Sequence, residues 1–383
     1  MRRLGGVVLI VAMATGCTPE RAEPPPDAIA SDAPSTAEPS ETPTPVETVD
    51  TTAQCEGLGR TPGSGQITLF ENNQLRAYRP SGGPPSCLID REESGLSMGN
   101  VIPPSWNAGG DRVIVDDRAL SKDGSITSRL TDKGNEEAIW SRPTGTSVVW
   151  ITKEGRLMKR SSLGGKATDI SFLARHDDVT YHPAGEHIAT TGLKENGDYG
   201  LYLATNVGTE PKLLARGEEA RLIISLRFDE DGRTLYYNAR HGPRNWHLHS
   251  LSIGPDPFLD TLDKGAFPFE YVLTPFQPNA IAWLSPGDCA AGDPGMFKAP
   301  FAKLQIPDDL RATNLHPVGW LPNGKIVVRA ASTGCSTAQP GDVYVLSRKA
   351  PVLIDRENYG NVSLRVKMPP PPPPPGEEQE VVA

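Results

Sequence analysis

Residues 227–237 read Arg-Phe-Asp-Glu-Asp-Gly-Arg-Thr-Leu-Tyr-Tyr. A tight turn at Asp231-Gly232 is followed at once by a β-branched and aromatic run. Asp-Gly supplies the left-handed backbone that short hairpins need, and the run after it suits a buried strand. The same layout recurs along the chain: Gly65-Gln-Ile-Thr-Leu-Phe, Gly110-Asp-Arg-Val-Ile-Val, Gly145-Thr-Ser-Val-Val-Trp, Gly185-Glu-His-Ile-Ala-Thr, Asn279-Ala-Ile-Ala-Trp-Leu and Gly324-Lys-Ile-Val-Val-Arg. Successive markers are 45, 35, 40, 47, 47 and 45 residues apart. A period of about 40–50 residues holding several strands is the mark of propeller blades.

Second hairpins follow at matching offsets in Tyr199-Gly-Leu-Tyr-Leu, Trp246-His-Leu-His and Asp342-Val-Tyr-Val-Leu. No stretch carries a helical period, so the expected class is all-β. Seven markers imply a seven-bladed propeller; six blades is the alternative, because the 35-residue spacing is short. The Gly65 marker has no strand before it, and Val362–Lys367 (Val-Ser-Leu-Arg-Val-Lys) has no hairpin after it. If the C-terminal strand completes the first blade, both problems vanish and no open edge remains.

The segments Tyr-His-Pro-Ala-Gly (181–185), Arg-Phe-Asp-Glu-Asp-Gly (227–232) and Gly-Trp-Leu-Pro-Asn-Gly (319–324) resemble the blade starts of TolB-like and WD40-like β-propellers. The resemblance covers about residues 55–368. It implies the fold and leaves the activity open.

The ends of the chain read differently. Arg2-Arg3, the apolar run Leu4 to Met13 and Ala14-Thr15-Gly16-Cys17 form a secretory signal. It resembles a bacterial lipoprotein signal peptide (1–16), with Cys17 the residue that receives the lipid, palmitate included. The apolar run is about half of what a membrane span needs. The expected address is therefore extracytoplasmic, held to the cell membrane by a lipid anchor. Residues 17–54 are rich in Pro, Ser, Thr and Glu and read as a disordered tether. Residues 369–383, seven prolines and an acidic stretch, read as a disordered tail.

The 383 residues carry 38 Lys+Arg against 47 Asp+Glu, a net charge of −9. No basic stripe is present, so nucleic acid is not an expected partner. With Cys17 set aside, four cysteines remain: Cys55, Cys87, Cys289 and Cys335. An even set in an exported protein reads as disulfides. Cys289 and Cys335 fall 10 and 11 residues after their blade markers, in matching loops of adjacent blades, and Cys55 and Cys87 flank the first blade. The expected bridges are Cys289–Cys335 and Cys55–Cys87.

Few motifs carry chemistry. His247 and His249, two apart on a strand, share one face and could reach a metal, with His241 nearby. No acidic or cysteine ligand accompanies them in sequence, so the stretch reads as a polar hairpin packed through Trp246 and Leu248, and no metal or cofactor is expected. Asp229 to Gly232 and Asp177-Asp178 lack the alternation of a calcium loop and read as turns. The six tryptophans, 106, 140, 150, 246, 283 and 320, read as inter-blade packing before a glycan platform. No Gly-x-Ser-x-Gly elbow occurs.

The resulting expectation is a non-catalytic binding or scaffold module for a protein or envelope-polymer partner. Two alternatives stand beside it. One is a propeller enzyme (lyase, lactonase or hydrolase) with a channel-mouth site; the other is a ligand-sensing accessory subunit of a membrane complex.

Overall fold

The computed structural model describes residues 66–369 apart from 72–73, 84, 90–103, 116–117, 122–125, 132–137, 218–221, 278–279, 286, 288–290, 301, 334–339 and 359–361. The leader, the tether and most of the tail, with Cys17 and Cys55, lie outside these residues. So do Cys289 and Cys335, and of Cys87 only the backbone is placed, in the strand Ser86–Ile89.

The described chain forms seven antiparallel sheets. Their innermost strands are, in ring order, Val362–Arg365, Ser105–Trp106, Ile139–Trp140, Arg175–Tyr181, Ile223–Phe228, Glu270–Leu273 and Asn314–Trp320. We number the blades 1 to 7 in that order. Six are four-stranded and blade 6 has three strands. This is a seven-bladed β-propeller, and the six-blade count is excluded.

Closure follows the sequence expectation. Val362–Arg365 pairs antiparallel with Gln66–Glu71, in the register Gln66 with Arg365 and Leu69 with Val362, so the last strand is the inner strand of blade 1. Lys367 lies beyond the ladder. The chain then reaches blade 2, where the Met368 amide donates to the Ala108 carbonyl at 3.0 Å.

The core is seven separate clusters, one in each gap between neighbouring blades, including the gap between blades 7 and 1. The second strands show why apolar side chains are needed on both of their faces. In Thr234–Gly242, Leu235, Tyr237 and Ala239 face blade 4, whereas Tyr236 between them faces blade 6. In Ile326–Ala331, Ile326, Val328 and Ala330 face blade 6 and Val327 faces blade 1. Alternate side chains of a strand leave on opposite faces, and here both faces are covered.

Blades 2, 3, 4, 5 and 7 share one turn between their first and second strands. Gly110, Gly145, Gly185, Gly232 and Gly324 all sit at positive φ, between 66° and 81°. Three of them also lie tightly under the preceding blade, Gly145 with a Cβ position 2.7 Å from the Asn107 side chain. A Cβ on Gly185 would stand 1.9 Å from the Arg142 carbonyl oxygen, and one on Gly232 would stand 2.1 Å from His182 Nε2.

One sequence reading needs correction. Asp177 and Asp178 are not in a turn: they lie in the strand Arg175–Tyr181, at a bulge between His176 and Asp178. Asp177 pairs with Arg175, and Asp178 accepts the amides of Val179 and, across the blade gap, Leu226. One short helix, α1 (Asp308–Arg311), precedes blade 7. Among the described residues no helix is long and apolar enough to cross a membrane.

Candidate functional site

The inner strands lead into the blade-start turns around a cavity of about 350 Å³ that takes residues from all seven blades. Trp106, Trp140, Tyr181, Phe228 and Trp320 supply its aromatic wall. Five of the six tryptophans are buried, Trp106 being the partly exposed one. Two of the cavity indoles bond to the preceding blade: Trp106 Nε1 donates to Thr68 Oγ1 at 2.8 Å and Trp140 Nε1 to the Ser105 carbonyl at 2.7 Å. Inter-blade packing thus accounts for them, and Trp106, Trp140 and Trp320 also line the cavity.

Charge enters the cavity from blades 3 and 5. The Arg142 guanidinium is ion-paired with the Glu230 carboxylate, both side chains being largely buried. Burial raises the Glu230 carboxyl above its ordinary value, and Arg142 opposes that rise. Arg227 projects from the inner strand of blade 5, Ile223–Phe228, over the Tyr271 ring, 5.9 Å from its centroid. A pair of 88 residues' separation leaves no local sequence signal, and these cavity residues were not legible as a site.

Beside Glu230, Asp229 is buried in the blade-5 turn and accepts the Thr234 amide at 3.2 Å. Burial, reinforced by Asp231, pushes its carboxyl up to about 8. Asp231 itself accepts the Arg233 amide at 2.8 Å. These acids serve the turn, as their sequence pattern suggests.

A second cluster lies on blade 5, where the strand Thr234–Gly242 turns into Asn245–Ser252. Trp246 and Leu248 are buried against blade 6, as the hairpin reading requires. On the opposite face His241, His247 and His249 come together, each offering one ring nitrogen within 4.8 Å of the others. His241 stacks on His247 with ring centroids 4.1 Å apart, and His241 Nε2 lies 3.3 Å from His249 Nε2. Burial pushes the His249 imidazole down to about 4; His247 is lowered too, by burial, then by His241 and Lys264. His176, by contrast, is a satisfied core histidine: one nitrogen faces Thr190 Oγ1 at 3.0 Å and the other accepts backbone amides of Phe172 and Leu173.

No family model matches the sequence, and no curated protein matches it. Solved structures do. Oligogalacturonate lyase in complex with manganese is 14% identical, over 72% of this chain and 82% of that one, with a TM-score of 0.48. TolB from Acinetobacter baumannii is 13% identical, over 80% of this chain and 68% of that one, with a TM-score of 0.41. The class is defined by the seven sheets and their closure: a β-propeller with an axial recess.

Proposed function

We propose that the chain is a non-catalytic binding module of the bacterial cell envelope, held to the membrane by lipid on Cys17 and raised from it by residues 17–54. In this reading the axial recess receives a segment of a protein partner. The observation that carries it is the make-up of that recess: indole and phenyl walls contributed around the ring, with the Arg142–Glu230 pair as its polar contact. Concave apolar sites with a few placed polar groups are the usual form of binding sites, and aromatic and arginine side chains supply most of the energy at protein interfaces.

Two arms test it. A photo-crosslinking residue at Pro183 or Pro275, both on the recess, captures one envelope partner in intact cells, and Arg142→Ala reduces the yield. Equal capture from Leu163 on the rim of blade 3, an exposed side chain, overturns the recess as the binding face. Cys17→Ala releases the protein from the membrane fraction; unchanged association overturns the anchor.

A further inference from the structure

We propose that His241, His247 and His249 form a binding site for a divalent transition metal ion of the zinc class. The proposal is separate from the partner-binding reading, because second strands run away from the blade-start turns and carry this hairpin to the other end of the ring.

The fold builds the site in three steps. Gly242 pairs with Asn245, so only Pro243 and Arg244 connect the strands and the chain returns directly. A register shift between Arg240 and Gly242 accompanies the turn, and it leaves His241 stacked on His247. The period of two then places His249 beside them, with Tyr237 at its back, ring centroids 5.3 Å apart.

The spacing fits a metal. A tetrahedral ion with Zn–N of about 2.0–2.1 Å holds its ligand nitrogens roughly 3.3–3.4 Å apart. The Nε2 atoms of His241 and His249 are already 3.3 Å apart. Two imidazole nitrogens this close share either a proton or a metal. Zinc, copper and nickel accept imidazole readily.

The supporting contacts match as well. His249 Nδ1 faces the Asp260 carbonyl at 3.3 Å and Thr261 Oγ1 at 3.1 Å. A carbonyl only accepts, so Nδ1 carries the proton and the Nε2 lone pair points into the cluster. Metal-bound histidines are commonly fixed in this way, through the other ring nitrogen. His247 is steadied by Asn245 Oδ1 at 3.1 Å from its Nε2. Among the described residues the group holds three imidazoles and neither a carboxylate nor a thiolate, so a bound ion keeps a position for water. Lys264 stands cross-strand from His247 and opposes a cation, which gives the site a directional signature.

The test uses the untagged full-length protein, stripped with chelator and titrated with Zn2+ by calorimetry, with bound metal counted by mass spectrometry. One equivalent binds, and Zn2+ raises the Tm. His247→Gln, at a half-buried position, weakens binding at least about tenfold while its Tm in chelator equals that of the parent. Thr261→Val weakens it roughly 10–100-fold, the range for supporting contacts. Lys264→Gln tightens it several-fold. Zinc uptake no greater than that of the His241→Asn/His247→Gln double variant overturns the proposal, as does an affinity that neither Thr261→Val nor Lys264→Gln moves.

Discussion

Asn238 and Phe269 pair across the gap between blades 5 and 6 as two strands would: Asn238 Nδ2 donates to the Phe269 carbonyl at 2.8 Å, and the Phe269 amide donates to Asn238 Oδ1 at 3.0 Å. Both residues are buried. A side-chain amide presents an N–H donor and a carbonyl acceptor side by side, so it closes two main-chain groups at the point where blade 6 begins.

Replacing Asn238 with Leu keeps the branching and the number of side-chain heavy atoms and removes both hydrogen-bonding groups. Each orphaned buried group costs about 1–3 kcal/mol, so for the two Phe269 groups the expected loss is about 2–6 kcal/mol. Chemical denaturation measures it. A loss below ~1 kcal/mol shows that water enters and takes over the two bonds.

Ring closure makes a second prediction. The Leu364 side chain lies against Gly319 of blade 7, while Arg365 Nε donates to the Gly110 carbonyl of blade 2. The last strand therefore ties together three blades. Truncation before Val362 removes the inner strand of blade 1 and abolishes the cooperative melt. Truncation after Met368 leaves the Tm within a degree or two, because the closing ladder from Val362 to Arg365 is kept whole. Calorimetry of the two truncations distinguishes these outcomes.

The sequence reveals those parts of the fold that obey local stereochemistry. A glycine at positive φ followed by β-branched residues repeats at blade spacing, so Gly110, Gly145, Gly185, Gly232 and Gly324 announce the turns. The leftover strand at Val362 reveals the closure, since an unpaired terminal strand and an incomplete first blade need each other. Contacts between blades are another matter. Asn238 meets Phe269, and Arg142 meets Glu230, only after four-stranded units have stacked, and no periodicity encodes that stacking. Two of the three histidines are legible as a pair: His247 and His249 share a face by the period of two. His241 joins them through the tight return at Pro243-Arg244 and the register shift before it, and a bulge has no sequence signature of this kind. The bulge at Asp177-Asp178 hides an acidic strand behind the look of a turn for the same reason.

Two turn glycines separate conformational from packing costs. Gly185 (φ 81°) and Gly324 (φ 72°) have the same backbone role. A Cβ on Gly324 meets nothing within 4 Å, while one on Gly185 collides with the Arg142 carbonyl. Gly324→Ala therefore costs only the positive-φ strain, about 1–2 kcal/mol. Gly185→Ala adds the displacement of a neighbouring backbone and is expected to exceed it by at least about 2 kcal/mol. Equal losses would mean that the blade-3 turn moves aside freely.

Asp229 gives the fold a pH dependence of unusual sign. Its carboxyl is pushed up to about 8 in the folded protein, by burial first and by Asp231 next, against an unfolded value near 3.9. Between those values the folded state binds the proton and the unfolded state does not. Stability from this group is fully present below about pH 4 and declines as pH rises toward 8, by at most about 1.4 kcal/mol per pH unit. Ordinary paired carboxylates act in the opposite direction and lose stability in acid. Asp229→Asn keeps an oxygen for the Thr234 amide and has no proton to lose. The variant should therefore match the parent near pH 4 and surpass it near pH 8, with the difference growing steadily between. Urea midpoints measured across that range decide the matter. A constant difference means that Asp229 is charged throughout in the folded protein and that the Thr234 amide and its neighbours hold it so.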